Sequence, residues 1–198
     1  MEKANANSES TASVIRGSGH SEEAHAEGFY FVECFDKEGN LKWQDSIKNV
    51  VCTEGKNAAL QAILKASAFT QVSIMGLIGN TTYSAPVAGN TAGAIATSGS
   101  ANSWNEATSG VSSVRKDVTS SVGTPSAGSV SISAQSFSIT GTDTINGCFV
   151  LIKSLAGVSP TTAVANTSGA LWSAGAFSGG GRAVVNGDTL SVTYSTSL

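Results

Sequence analysis

A chain of 198 residues can bury one good core, and ordinary domain sizes favour one domain with a tail over two domains. A net charge of −3 and a pI near 5.3 supply neither the basic footprint nucleic acid needs nor a lysine-rich run for an anionic membrane, so neither partner is expected. Of 25 Asp, Glu, Lys and Arg residues, 17 fall in positions 1–65 and 8 in the other 133; monomers ordinarily keep a well-charged surface, so this neutral body points to contact with other protein.

Residues 1–27 are small and polar, with one hydrophobic pair at Val14 and Ile15, and cannot bury enough apolar area to offset chain entropy. They read as an extended N-terminal arm, expected to reach a neighbouring subunit. The arm lacks the apolar centre of a secretory signal, and no apolar run approaches a membrane span, so the protein is expected to work in solution.

Residues 28–198 read as a β-sandwich of jelly-roll type with one short helix. GFYFVECFDKEGNLKW, residues 28–43, opens it with five aromatic rings. Phe29–Phe35 has strand composition, Asp36–Asn40 supplies a turn with Gly39 free to take positive φ, and Leu41–Ile47 returns as a second strand. Alternation puts Phe29, Phe31 and Phe35 on one face and Tyr30, Val32 and Cys34 on the other. One set can enter the chain's own core; the other needs cover, which makes Phe29, Phe31 and Phe35 interface candidates. Trp43 can serve either core or interface.

Thr53–Ala68 predicts the helix, with Thr53 as N-cap, Glu54 at the positive end of the dipole, and Ala59, Leu60, Ile63 and Leu64 as its apolar stripe. QVSIMGLIGN, residues 71–80, reads as a strand broken or bulged at Gly76. Residues 79–110 form a long loop rich in turn formers, of a length usually tied to function or contact. Val111–Thr119 is a strand with Arg115 and Lys116 exposed. Residues 128–140 alternate and then slip, predicting a bulge near Gln135 and Ser136. INGCFVLIK, residues 145–153, is apolar on both parities and reads as a central, fully covered strand. SGALWSAGAF, residues 168–177, is a further strand with Trp172 in the core, and Arg182–Val185 is expected to meet Thr189–Tyr194 across the turn Asn186-Gly187-Asp188.

The chain offers little for catalysis, and no enzyme is expected. Its only histidines, His20 and His25, lie in the arm, where neither can serve as a positioned base. No short ligand spacing links them to Cys34, so no metal is expected. Cys34, Cys52 and Cys148 have no C-x-x-C spacing and read as free buried thiols. The Asp36–Asn40 turn lacks the order of a calcium loop, and Gly179–Arg182 lacks a P-loop lysine, so no cofactor is expected. Trp104 and Glu106 precede Arg115 by about ten residues, a spacing that lets Glu106 and Arg115 clamp the long loop while Trp104 offers a shelf for a sugar. Val14, Ile15, Trp104, Glu106 and Arg115 complete the interface candidates.

The succession GFYFVECFDKEGNLKW, NVVCTEGKNAALQAIL, the Gly/Ala/Thr loop with WNEA, INGCFVLIK and VVNGDTLSVTY resembles small structural proteins of tailed-phage morphogenesis regions, over residues 28–198. That resemblance implies a β-sandwich or jelly-roll virion component, a capsid cement or decoration protein that binds the major capsid protein and itself as a homo-oligomer. It implies assembly in the bacterial host cytoplasm and residence in the virion. The alternative is a tail or fibre component, such as a trimeric receptor- or glycan-binding tip.

Overall fold

The computed structural model describes residues 26–65, 72–79, 84–93, 106–107, 110–112, 115–152 and 167–198. The chain is mainly β, with antiparallel sheets and, among the described residues, one α-helix longer than a turn. In order it forms β1 (Glu27–Phe35), β2 (Leu41–Lys48), β3 (Val50–Val51), α1 (Thr53–Lys65), β4 (Ser73–Ile78), β5 (Arg115–Asp117) and β6 (Ser129–Ser138). Then follow β7 (Asp143–Ile145), β8 (Gly147–Ile152), β9 (Ala170–Ala176), β10 (Arg182–Val184) and β11 (Thr189–Ser197). A first sheet has the order β2-β1-β11-β6, a second β3-β9-β8-β4-β5, and β10 pairs with β7 alone.

Alternation decides β1. Tyr30, Val32 and Cys34 are buried with Val192 and Tyr194 of β11 in one core, where they meet Met75, Leu77, Cys148, Val150 and Trp172 of the second sheet. Strands β4, β8 and β9 show no alternation because their sheet is covered twice. Its far face carries Ile74, Phe149, Leu151 and Leu171 in a second cluster beneath Ala92. Strand β8 is central, as the doubly apolar INGCFVLIK predicts.

Several expectations are corrected. Gly76 neither breaks nor bulges β4: it pairs in register with Phe149 and Arg115, and a Cβ there would lie 2.3 Å from Phe149 Cζ. The residue is glycine because the phenyl ring occupies that space. The Asn186–Asp188 turn forms, with Gly187 at φ +94°, but joins no hairpin. Strand β10 pairs with β7 while β11 pairs with β1 and β6, because Ile139 exchanges backbone hydrogen bonds with the turn at Gly187 and Asp188. The bulge in β6 falls at Ser133 and Ala134, between Ile132 opposite Tyr194 and Gln135 opposite Val192, two residues before the predicted slip.

The helix differs most. Lys56 N–H bonds to Cys52 C=O, which gives Cys52 the capping position expected of Thr53. Gly55 and Ala58 face inward, and a Cβ on Gly55 would stand 2.6 Å from Trp172 Cα, so the helix lies directly against the backbone of β9. Leu60, Ile63 and Leu64 point outward at 54, 73 and 77 % exposure, opposite to the expected apolar stripe. Glu54 Oε2 accepts 2.7 Å hydrogen bonds from the N–H groups of Ala92 and Leu171, fastening residues 84–93 to the start of the helix.

Candidate interaction surfaces

The outward face of the first sheet is built from side chains that pairing places side by side. Phe29 stands opposite Lys48 and Ser195, Phe31 opposite Ser46 and Thr193, and Glu33 opposite Gln44 and Ser191. Beyond β11 the same face continues as Ser131 opposite Ser195 and Ser136 opposite Ser191. Phe29 and Phe31, 42 and 40 % exposed, thus stand among side chains that are mostly hydroxyls, with Lys48 and Glu33 beside them. The charges at its end, Lys48 and Glu27, are joined by a 2.9 Å ion pair. Phe35, where the β1–β2 register shifts, is only partly exposed. Trp43 packs edge-on against Phe177 with ring centroids 5.5 Å apart, which makes it a flank of the core.

Glu106 and Arg115 are brought together, but inside the molecule. Arg115 Nε donates to Glu106 Oε1 at 2.8 Å, Nη2 reaches the same oxygen, and both side chains are almost wholly withdrawn from solvent. The guanidinium lies over the Phe149 ring, 5.8 Å from its centroid. Glu106 also bridges to Ile78, so the pair clamps the long loop to β4 and β5. Neither residue can therefore meet an outside partner, and Arg115 is not the exposed strand residue expected. Burial raises the Glu106 carboxyl above its usual range, against the opposing pull of Arg115.

An open cavity of about 390 Å³ lies beside α1 between the two sheets, lined from β6 and β11 of the first and from β4, β8 and β9 of the second. Its wall is almost entirely apolar and includes Ala59, Ile63, Ile132, Val150, Ile152 and Trp172. Thr196 and Leu198 form part of its lining where β11 ends. The pattern of the sequence did not reveal this groove, because it needs the inward Gly/Ala face of α1 to set the helix beside Trp172.

The groups weighed for chemistry are engaged in structure. Asp36 accepts hydrogen bonds from the N–H groups of Glu38 and Asn40 at 3.0 and 2.8 Å, and its carboxyl is held below the usual range chiefly by the Asn40 side chain. Arg182 donates to Asp45 at 2.8 Å and to the Ser178 carbonyl at 3.0 Å across the glycine turn. All three cysteines are free and buried. Burial pushes the Cys34 thiol up to about 11 and the Cys52 thiol to about 12, and raises Cys148 further. Such thiols are poor nucleophiles near neutral pH. Among the described residues no three His, Cys, Asp or Glu side chains converge as metal ligands, and no helix is long and apolar enough to cross a membrane. Val14, Ile15, His20, His25 and Trp104 lie outside the described residues.

The fold is that of a mainly β protein with antiparallel sheets and one helix. Compared with known proteins, the chain matches no family model, and no curated protein or solved structure is similar to it.

Proposed function

We propose that this chain is a structural protein of a tailed-bacteriophage particle, a cement or decoration protein that binds the major capsid protein and further copies of itself. The body is then a sandwich of the jelly-roll kind, a reading supported by the pairing of the first strand, β1, with the last, β11. The protein assembles in the host cytoplasm and resides in the virion.

One observation carries the proposal: Phe29 and Phe31 are exposed, two residues apart, on a sheet face made mostly of serines, threonines and glutamine, with charge from Glu27, Lys48 and Glu33 along β1 and β2. Each phenylalanine leaves about two fifths of its surface in water, and covering the rest would add on the order of 1 kcal/mol. Aromatic anchors within a weakly charged surround are the composition of a protein–protein contact.

Phe29→Ser/Phe31→Ser tests it, since neither ring belongs to the core. Phage shells lacking the protein should bind the double variant at least about tenfold more weakly than wild type, in line with the loss of aromatic anchors, while its unfolding transition stays in place. Cryo-microscopy of the particle gives the decisive view. Density for this chain on the tail alone, or none on the shell, rejects the capsid role and favours a tail or fibre component.

A further inference from the structure

We propose that the outer face of the first sheet pairs with the same face of a second copy of this chain, across a two-fold axis that crosses β1 at Phe31. The inference rests on the reading of Phe29 and Phe31 as contact anchors and names the partner they take.

A sheet face that carries large apolar side chains packs on another sheet about 10 Å away. The inner face of the first sheet is satisfied within the chain, where Tyr30, Val32 and Cys34 meet the second sheet. The outer face leaves Phe29 and Phe31 exposed among the described residues. Cover for these rings has to bring apolar surface of its own, and a second copy brings the same two rings.

Strand pairing fixes where the charges stand. On β2, Lys48 lies beside Phe29, Ser46 beside Phe31 and Gln44 beside Glu33. A two-fold axis between the copies, perpendicular to the strands, lays β1 on β1 in the reverse direction, so residues equally far from the axis meet. With the axis at Phe31, the two Phe31 rings face each other and each Phe29 lies next to them, over Glu33 of the second copy. Each Glu33 then comes beside Lys48 of the second copy, because Lys48 neighbours Phe29. Two acid–base pairs flank a cluster of four rings.

Other placements lose on charge or on polarity. Moving the axis to Tyr30 sets Phe29 on Phe31 but Glu33 on Glu27 of the second copy, and like charges at an interface are costly. An axis running along β1 sets Glu33 on Glu33. An axis between β1 and β11 lays the rings on Ser195 and Thr193. Within its own chain Lys48 is joined only to Glu27, at 2.9 Å and with both side chains well exposed, a pair of little strength that leaves the ammonium able to take a second carboxylate. Glu33 has no ion pair among the described residues.

Sedimentation velocity of the full chain tests the pairing. The wild type should run as a dimer at micromolar concentration, and Phe29→Ser/Phe31→Ser as a monomer whose unfolding transition stays in place. Glu33→Lys and Lys48→Glu each place like charges together in both pairs, and each alone should weaken the dimer at least about tenfold. Mixing these two variants restores both acid–base pairs in the mixed dimer and should recover association close to that of the wild type. A monomeric wild type overturns the proposal, as does a dimer that the double phenylalanine variant leaves intact. Charge variants that dimerise like the wild type, or a mixture that associates no better than its components, overturn it as well. Binding to phage shells tells this failure from that of the contact reading. If the wild type is monomeric and Phe29→Ser/Phe31→Ser still binds shells weakly, the rings anchor a different protein. If that variant both dimerises and binds shells like the wild type, the face is no contact at all.

Discussion

Tyr30 Oη lies 2.6 Å from Ser173 Oγ, a hydrogen bond that joins β1 of the first sheet to β9 of the second through the core. Beside it Tyr194 Oη accepts from Trp172 Nε1 at 2.8 Å and from Asn49 Nδ2 at 3.1 Å, and the two tyrosine rings stand 4.7 Å apart. Burial pushes the Tyr30 phenol well above its ordinary range, so it stays neutral and able to donate. Polar groups in such a place are costly unless paired, and the pairs hold the sheets in one relative position.

Tyr30→Phe removes one partner and leaves Ser173 Oγ short of a hydrogen bond in the core, at a cost of about 1–3 kcal/mol. Tyr30→Phe/Ser173→Ala should cost less than the sum of its single substitutions, because neither residue is then left unpaired. Urea unfolding of the four proteins measures this, and strict additivity would show that the bond contributes nothing of its own.

The buried pair of Glu106 and Arg115 predicts a dependence on pH. Removing Arg115 as Arg115→Met strands a carboxylate in the interior, which at pH 7 destabilises by about 3–5 kcal/mol. In the wild type burial holds the Glu106 carboxyl above its ordinary range, so only between the unfolded and folded values does the folded chain keep a proton that the unfolded chain has lost. Its contribution to stability is thus fully present below the ordinary carboxylate range and declines as pH rises through the folded value. Loss of the guanidinium raises that value further. The penalty of Arg115→Met should therefore shrink as pH falls from 8 to 5, and Glu106→Gln/Arg115→Met should lose this trend. A penalty identical at both ends of the range would contradict the assignment.

Gly76 gives a prediction about volume. Alanine at this position would set its Cβ 2.3 Å from Phe149 Cζ and 2.6 Å from Cε1, inside a sheet covered on both faces. Overpacking of this kind costs about 1–3 kcal/mol. Phe149→Leu in the same chain should recover part of the loss by freeing the space. Thermal unfolding that finds Gly76→Ala as stable as wild type would mean that the ring moves aside at no cost.

Local pattern made some elements legible and tertiary geometry decided the others. The faces of β1 follow from strict alternation, and the central place of β8 from apolar residues on both parities. The partnership of Glu106 with Arg115 was open to a spacing argument, yet its burial was not, since that depends on residues 106–107 packing against β4. The turn at Asn186-Gly187 carries the chemistry of a hairpin, but turn chemistry fixes only local chain reversal. Which strands pair beyond it was settled by Ile139, nearly fifty residues earlier in the chain. The two exposed phenyl rings could be anticipated from the doubly apolar first strand; the groove could not.

The helix supplies the sharpest reversal of pattern by packing. Apolar spacing assigns Leu60 and Leu64 to the core, whereas close approach to β9 reserves that side for Gly55 and Ala58. Leu64→Lys should then leave stability within about 0.5 kcal/mol of wild type, as for surface substitutions generally. Ala58→Leu, conservative by helix propensity, should cost about 1–3 kcal/mol by forcing a larger side chain against the sheet. Chemical denaturation of the two variants distinguishes these faces. If Leu64→Lys proved the more damaging, the stripe of large aliphatic residues would have to be buried in the folded protein, and the helix would be rotated from the position described.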